Sequence, residues 1–495
     1  MTEIRVTYSG LIAFVIGIIS VISGLVVTVV ITRSLTSFEY GTWTLILNLI
    51  GYVIILEPII SYWATREIAR KTESGTTAVL SSGIFSCLGI LIYVIILTVV
   101  VMQTDASFDI MFYAIILVPI IFINRTLTAI NLGFKPHIAS YGVLAYSLVQ
   151  IPAIFLFLNY LELGVIGVIL SSFSGYSISV LVLFIYGKER LYRNFNFKFI
   201  KKWFKLSWLT LYPGTFSFVS LMDITAFSII TGSVIGISYW GVSMVIPIII
   251  AQAASISYAI YPKILGGGKN DFVKDNFSLL FYFAIPLVAI SIVFAEPALF
   301  TLNPIYVIAV PVVIITSFFV FFNMLNTTFY TALLGIEKVD ISESSTFKDY
   351  LKSKLFHLPT VLLIQYSIYI VTLTISIVFA MTNEFSDIEL VIIWSIVALL
   401  THSPFTFYFY YLIKKDLSIS LDYFRIIKFL LLSIFSFGIS YILVENYLDY
   451  DVSLVYFILT IIGILLIGIG SYIALTYVTD LKTRELVNAL IHKKL

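Results

Sequence analysis

Apolar runs of roughly twenty residues follow one another along the whole chain, from "LIAFVIGIISVISGLVVTVVI" near the start to "LVYFILTIIGILLIGIGSYIAL" near the end. A run of that length spans the hydrocarbon core of a bilayer as a helix. In lipid every backbone N–H and C=O must be satisfied within the segment, so a chain built of such runs folds as a helical membrane protein. Only 11% of its 495 residues are charged. Fourteen membrane helices are expected, at about 9–32, 42–62, 77–102, 110–132, 138–160, 163–187, 207–231, 234–261, 277–299, 304–334, 358–381, 389–413, 428–446 and 452–478. They are called helices 1 to 14. No segment between them is long enough for a separate soluble domain. The first run lacks a small-residue cleavage site and reads as a retained helix.

The cations fix the orientation. With the N-terminus in the cytoplasm, all but two of the 29 Lys and Arg residues fall in cytoplasmic segments, as the positive-inside rule requires. Both termini are then cytoplasmic. The outer loops carry acids such as Asp105, Glu384, Asp387, Asp449 and Asp451. The two exceptions are Arg33, at the outer end of helix 1, and Arg125, inside helix 4. Arg125 lies about 12 Å from the inner end of its helix by helical rise. A charge at that depth costs at least ~2.5–3.5 kcal/mol if it faces lipid.

The basic stretch "KERLYRNFNFKFIKKWFK" joins helices 6 and 7, with aromatics interleaved among its cations. It reads as an amphipathic helix on an anionic inner leaflet. It serves either as a topology anchor or as a hinge between two lobes.

An internal repeat is visible. "ITRSLTSFEYGTW" from Ile31 matches "ITGSVIGISYWGV" from Ile230 at a constant offset, and Tyr62 and Tyr261 keep that offset. Helix 4 ends "TAINLGFKP" and helix 10 ends "TALLGIEKV". Parallel copies of six helices place two bundles around an axis along the membrane normal. The expected organisation is an N-lobe over 1–187, a basic cytoplasmic linker over 188–206, a C-lobe over 207–427, and helices 13–14 with a tail over 428–495.

The turn "SLTSFEYGTWTLI", the basic "ATREIARK" after helix 2, the helix 4 end "LTAINLGFKP" and the twelve-plus-two layout together resemble the Wzx-type oligosaccharide flippases. These belong to the multidrug/oligosaccharidyl-lipid/polysaccharide exporter superfamily. The Ile- and Tyr-rich composition is most similar to archaeal members. The resemblance implies translocation of a polyprenyl- or dolichyl-pyrophosphate-linked oligosaccharide from the inner to the outer leaflet by alternating access, for surface polysaccharide or N-glycan assembly. It also implies that helices 13 and 14 border a groove for the lipid tail. The expected partners are that lipid-linked oligosaccharide, the surrounding membrane lipids and, as a coupling ion, H+ or Na+. The chain is expected to act as a monomer in the cell membrane, without cofactor or nucleic acid.

The residues available for such a role are few. On helix 4, Asn124, Arg125, Thr128 and Asn131 recur at three- and four-residue spacing, so they share one face. Lys135 continues it. Guanidinium is a bidentate partner for a pyrophosphate dianion. The competing reading is a salt bridge between Arg125 and Glu57, which lies at similar depth on helix 2 beside Pro58. Glu57 is then also a candidate gating or ion-coupling residue. On helix 7, Asp223 is the only carboxylate, with Ser217, Ser220 and the helix-breaking pair Pro213–Gly214 nearby. It is read either as a coupling group, within reach of Arg33, or as a buried structural acid. Arg33 is read either as that partner or as an interfacial snorkelling residue. On helix 10, Asn323, Asn326, Thr327, Tyr330 and Thr331 make a neutral polar face suited to sugar hydroxyls or to hydrogen bonds between helices.

Other chemistries find no support. The segment "KILGGGKN" lacks P-loop spacing and a preceding strand. The four histidines, His137, His357, His402 and His492, show no metal spacing, and the single Cys87 permits no disulfide. An embedded glycosyltransferase or polymerase would need a large outer loop with catalytic groups. A drug or cation antiporter of the same superfamily is the nearer alternative, but it would want acids and no cation in its cavity.

Overall fold

A computed structural model describes residues 2–70, 73–191, 194–205, 207–254, 270–337 and 347–491. Lys71, Arg193, Tyr261, Lys263, Lys269 and the glycine turn between them, Lys338, most of the acidic loop before Phe347, His492, Lys493 and Lys494 lie outside the described residues.

The described chain is all helix, without strands. Each expected membrane segment is occupied by helix over its described residues. Eleven are long and apolar enough to cross a bilayer, and two more are bent pairs. The first, Thr2–Ser34, contributes the apolar stretch Ile19–Ser34. The architecture is therefore that of a multi-pass membrane protein with about fourteen spans.

Two of the helices are broken. Helix 2 runs as Ser37–Ile54 and Pro58–Ala69, bent by 58°. Pro58 has no N–H to continue the ladder, and Glu57 precedes it. Helix 7 runs as Trp208–Ser220 and Met222–Thr231. Its break falls at Leu221, not at the expected Pro213–Gly214, which lie within a continuous helix. The Leu221 carbonyl, at the start of Met222–Thr231, also accepts from Asn48 Nδ2 at 3.0 Å.

The chain forms two compact units. One comprises Met1–Tyr239 with Ile377–Asp387, and the other Trp240–Ser376 with Ile388–Leu495. The division falls after Tyr239, one helix beyond the linker at 188–206 where the sequence repeat divides the chain. Helix 7 packs with the first six because it is stitched along helix 2. Thr225 Oγ1 donates to Asn48 Oδ1 at 3.0 Å, and the Tyr52 and Thr225 hydroxyls lie 3.0 Å apart. The Tyr52 and Phe218 rings meet at 5.1 Å. Small residues allow the approach: a Cβ on Gly41 would lie 2.0 Å from the Val234 carbonyl oxygen. The two repeat turns therefore touch within the first unit. Asp105 clasps the second of them, accepting from Val234 N at 3.1 Å and donating its own N–H to Gly232 O at 3.0 Å. Gly232 has φ +70°, which a side chain would strain. The first repeat turn is held by a reciprocal capping box between Thr36 and Glu39.

In the second unit, helices 13 (Tyr423–Tyr447) and 14 (Leu454–Thr479) pack on helix 9 (Asn270–Val293). Their core joins Phe277, Phe281 and Tyr282 to Phe429, Phe437, Phe457 and Tyr472. Tyr472 Oη donates to Tyr282 O at 2.9 Å. Beyond the spans, Asp480 gathers the helix ends. It binds Arg425 at 2.7 Å and Lys428 at 3.0 Å, and accepts from Thr483.

Candidate functional site

The candidate site grows from the close packing of the second half of helix 2 on helix 4 (Phe108–Phe134). Ile60, Ala64 and Ile68 meet Leu127 and Ile130 in one core. Thr65 Oγ1 donates to Ala129 O at 3.0 Å, and a Cβ on Gly133 would sit 2.6 Å from Thr65 O. This packing carries Glu57 into the interior, where it is 2% exposed. Both of its oxygens are taken by hydroxyls. Ser61 Oγ donates to Oε2 at 2.8 Å and Thr126 Oγ1 to Oε1 at 3.2 Å.

Arg125 is the neighbour of Thr126, but its side chain turns the other way and is exposed. Among the described residues it makes no ion pair and no hydrogen bond. It lies within electrostatic range of Glu57 and of Tyr176 on helix 6 (Gly164–Arg190). The expected alternative of a direct Arg125–Glu57 salt bridge is thus not formed in this structure.

The polar stripe of helix 4 divides. Thr128 is half-buried, and its hydroxyl returns to its own backbone at Asn124 O. Asn124 Nδ2 donates to Ser179 Oγ at 2.7 Å. Asn131 is fully buried and donates to Leu127 O at 2.9 Å and to Leu183 O at 3.0 Å. It therefore fastens helix 4 to helix 6, where it also abuts Gly187. Arg125 remains the exposed member of the four.

Sequence reasoning missed a tyrosine pair, one member of which lies within electrostatic range of Arg125. Tyr176 packs on Tyr146 of helix 5 with ring centroids 4.6 Å apart. Tyr146 in turn hydrogen-bonds Ser172 and Gln150. The phenols lie among many apolar neighbours, and composition alone does not separate them from lipid-facing tyrosines. Their signal would have been the serine and glycine spacing "SSFSGYSIS" on helix 6, which leaves room for rings.

At the C-terminal end of helix 4, Phe134 carries two cations on its ring. Lys135 Nζ is 4.5 Å and Arg190 4.3 Å from its centroid. The basic residues after helices 4 and 6 thus converge.

Asp223 is half-buried at the break of helix 7, with Oδ1 accepting from Ile224 N at 2.7 Å. It lies within electrostatic range of Tyr52, beside the Asn48–Thr225 contact. Arg33 closes helix 1 and is exposed. In the second unit, Asn323 and Tyr330 are half-buried and Thr327 is exposed on helix 10. Asn326 is 2% exposed, and neither of its amide atoms has a partner among the described residues. The neutral face of helix 10 therefore also divides between interior and surface. No group of three His, Cys, Asp or Glu able to hold a metal ion occurs among the described residues.

No family model matches the chain, and no curated protein matches it by sequence. Solved structures match it by fold. A lipid II flippase, MurJ, in an inward closed conformation is similar over 96% of this chain and all of its own, with a TM-score of 0.64 at 16% identity. An inward-facing multidrug resistance MATE transporter of the MOP superfamily aligns over 81% of this chain and 95% of its own, with a TM-score of 0.58 at 13% identity. A MOP superfamily transporter from Pyrococcus furiosus, described by the reverse polarity of its binding pocket, aligns over 84% of this chain and 96% of its own, with a TM-score of 0.55 at 13% identity. The fold is that of the MOP-type transporters.

Proposed function

We propose that the chain is a flippase that moves a polyprenyl- or dolichyl-pyrophosphate-linked oligosaccharide from the cytoplasmic to the outer leaflet of the cell membrane by alternating access. The observation that carries this reading is the exposed Arg125, unpaired among the described residues and lodged inside a membrane helix. A guanidinium left without a carboxylate at that depth is too costly against hydrocarbon and belongs in a water-filled cavity. It offers a fork of N–H donors to a pyrophosphate. Glu57 does not compete for it, since its oxygens are met by Ser61 and Thr126. The likeness to a lipid II flippase over nearly the whole chain supports the same reading.

In this mechanism Arg125 draws the head group in from the cytoplasmic cations Lys135 and Arg190. Asn124, Thr128 and Tyr176 line its surroundings, while Asn131 holds helix 4 in place. Sugar hydroxyls lie along Asn323 and Tyr330, with Asn326 behind them. Glu57 and Asp223, each at the break of a helix, gate the motion or couple it to H+ or Na+, and Arg33 guards the outer end. A drug or cation antiporter remains the second reading, since multidrug transporters share the fold. An unpaired cation opposes cationic cargo.

The test is translocation of labelled lipid-linked oligosaccharide in proteoliposomes. Arg125→Ala is expected to abolish it and Arg125→Lys to retain part, with both variants folding normally. Full activity of Arg125→Ala would refute the recruitment role. Export of organic cations in place of the lipid would favour the antiporter.

A further inference from the structure

The linker helix Phe197–Lys205 presents three faces. Phe199 and Trp203, four residues apart, turn inward, and Trp203 is 1% exposed in the core shared by helix 2, helix 4 and helix 6. Lys198, Lys201, Lys202 and Lys205 recur at the spacing of a single helical face, and all are exposed. Phe197, Ile200 and Phe204 form a third strip beside the lysines, with Phe197 67% and Phe204 47% exposed. Phe195, just before the helix, is exposed as well. An apolar strip bordering a basic one, at the level where the membrane helices end, is the arrangement of a helix seated in the interface of an anionic leaflet.

The helix is also fastened to the second half of the broken helix 2. Lys202 Nζ binds the buried Glu67 at 2.5 Å, and Trp203 packs in one core with Ile60, Trp63, Ala64 and Ile68. All five belong to Pro58–Ala69, the half-helix that begins beside Glu57 and packs against the Arg125 helix.

We propose that this helix is a sensor for anionic lipid: phospholipid head groups of the cytoplasmic leaflet bind its lysine face and, through Glu67 and Trp203, hold the half-helix Pro58–Ala69 in the position seen here. The consequence for transport rests on the function proposed above. The lipid contact and its effect on the half-helix do not.

The experiment is hydrogen exchange of the full chain in vesicles of phosphatidylcholine alone and of phosphatidylcholine with phosphatidylglycerol. Phosphatidylglycerol is expected to slow exchange in both 197–205 and 58–69, with the effect weakened by salt. Each lysine near an anionic surface is worth about fivefold in partitioning. The triple change Lys198→Gln, Lys201→Gln, Lys205→Gln, which spares the Lys202–Glu67 pair, should therefore weaken the lipid effect on the order of a hundredfold. The matching Arg triple should restore it, which separates charge from misfolding. Equal exchange in neutral and anionic vesicles would overturn the proposal and leave the basic face to an acidic protein. Protection of 197–205 without 58–69 would overturn the coupling. Neither result depends on whether the chain moves a lipid-linked sugar.

Discussion

Asn48 offers a sharp test of how the first unit is held together. Its amide donates to the Leu221 carbonyl at 3.0 Å and accepts from Thr225 Oγ1 at 3.0 Å, and Asn48 is 4% exposed. Replacing it with Leu keeps the bulk but removes both bonds. The Leu221 carbonyl then keeps only its backbone partner in the first turn of Met222–Thr231. Hydrogen bonds between membrane helices average about 0.6 kcal/mol by double-mutant cycles and reach ~1.7. With two such bonds lost, Asn48→Leu should destabilise the protein by about 1–3 kcal/mol. The assay is reversible unfolding of the detergent- or bicelle-solubilised chain, run as a cycle with Thr225→Val. The Thr225 bond predicts a coupling energy near 0.6 kcal/mol and below ~1.7. Unchanged stability of Asn48→Leu, or additivity within error, would refute the role of this contact in holding helix 7 to helix 2.

Two further outcomes are expected. Gly133→Ala places a Cβ 2.6 Å from Thr65 O, a backbone atom, so the two helices must separate, at a cost of about 1–3 kcal/mol measurable in the same unfolding assay. Burial pushes the Asp480 carboxyl up, but Arg425, Lys428 and Thr483 outweigh it and hold it well below the usual carboxylate range. The depressed value means that its contribution is complete above the unfolded value near ~3.9 and is lost as pH falls below that. A melting profile between about pH 5 and 8 should thus show no step from this group, whereas Asp480→Asn should lower the melting temperature throughout that range.

Much of the architecture was legible because a bilayer leaves little choice. A run of about twenty apolar residues needs no partner to be recognised as a span. Arg125 stood out for the same reason. What the sequence did not show depended on partners distant along the chain. Pro213–Gly214 looked like the break in helix 7, yet the helix continues through them, and Gly214 instead allows Ile55 to approach. The break lies instead at Leu221, whose carbonyl receives a second donor from Asn48, 173 residues away. Asn131 matched the spacing of an exposed stripe, but it is fully buried, and Leu183 O captures its amide. Helical spacing gives the direction of a side chain relative to its own helix, not which neighbour lies there. Trp203 was one aromatic among several in a basic segment, and only the core under it distinguishes it from Phe197.

The pairing of Arg125 with Glu57 was the competing reading, drawn from their similar depth, and the reason it is not made bears on function. A carboxylate that is 2% exposed needs donors at both oxygens, and Ser61 and Thr126 provide them from the two helices that flank it. Glu57 also sits at the start of Pro58–Ala69, where the positive end of the helix dipole favours an anion. Its environment is thus satisfied by neutral groups, with Arg125 acting only from a distance. A direct salt bridge would consume the guanidinium's donors and tie helix 2 to helix 4 by a strong, desolvated pair. The arrangement seen keeps the two helices joined by replaceable hydroxyl bonds and keeps the cation's donors available. On the proposed reading this is the useful division: an anionic head group can bind Arg125 without first breaking an ion pair, while its charge still reaches Glu57 through space. The half-helix break at Glu57 then lies where a change in that field would be converted into movement.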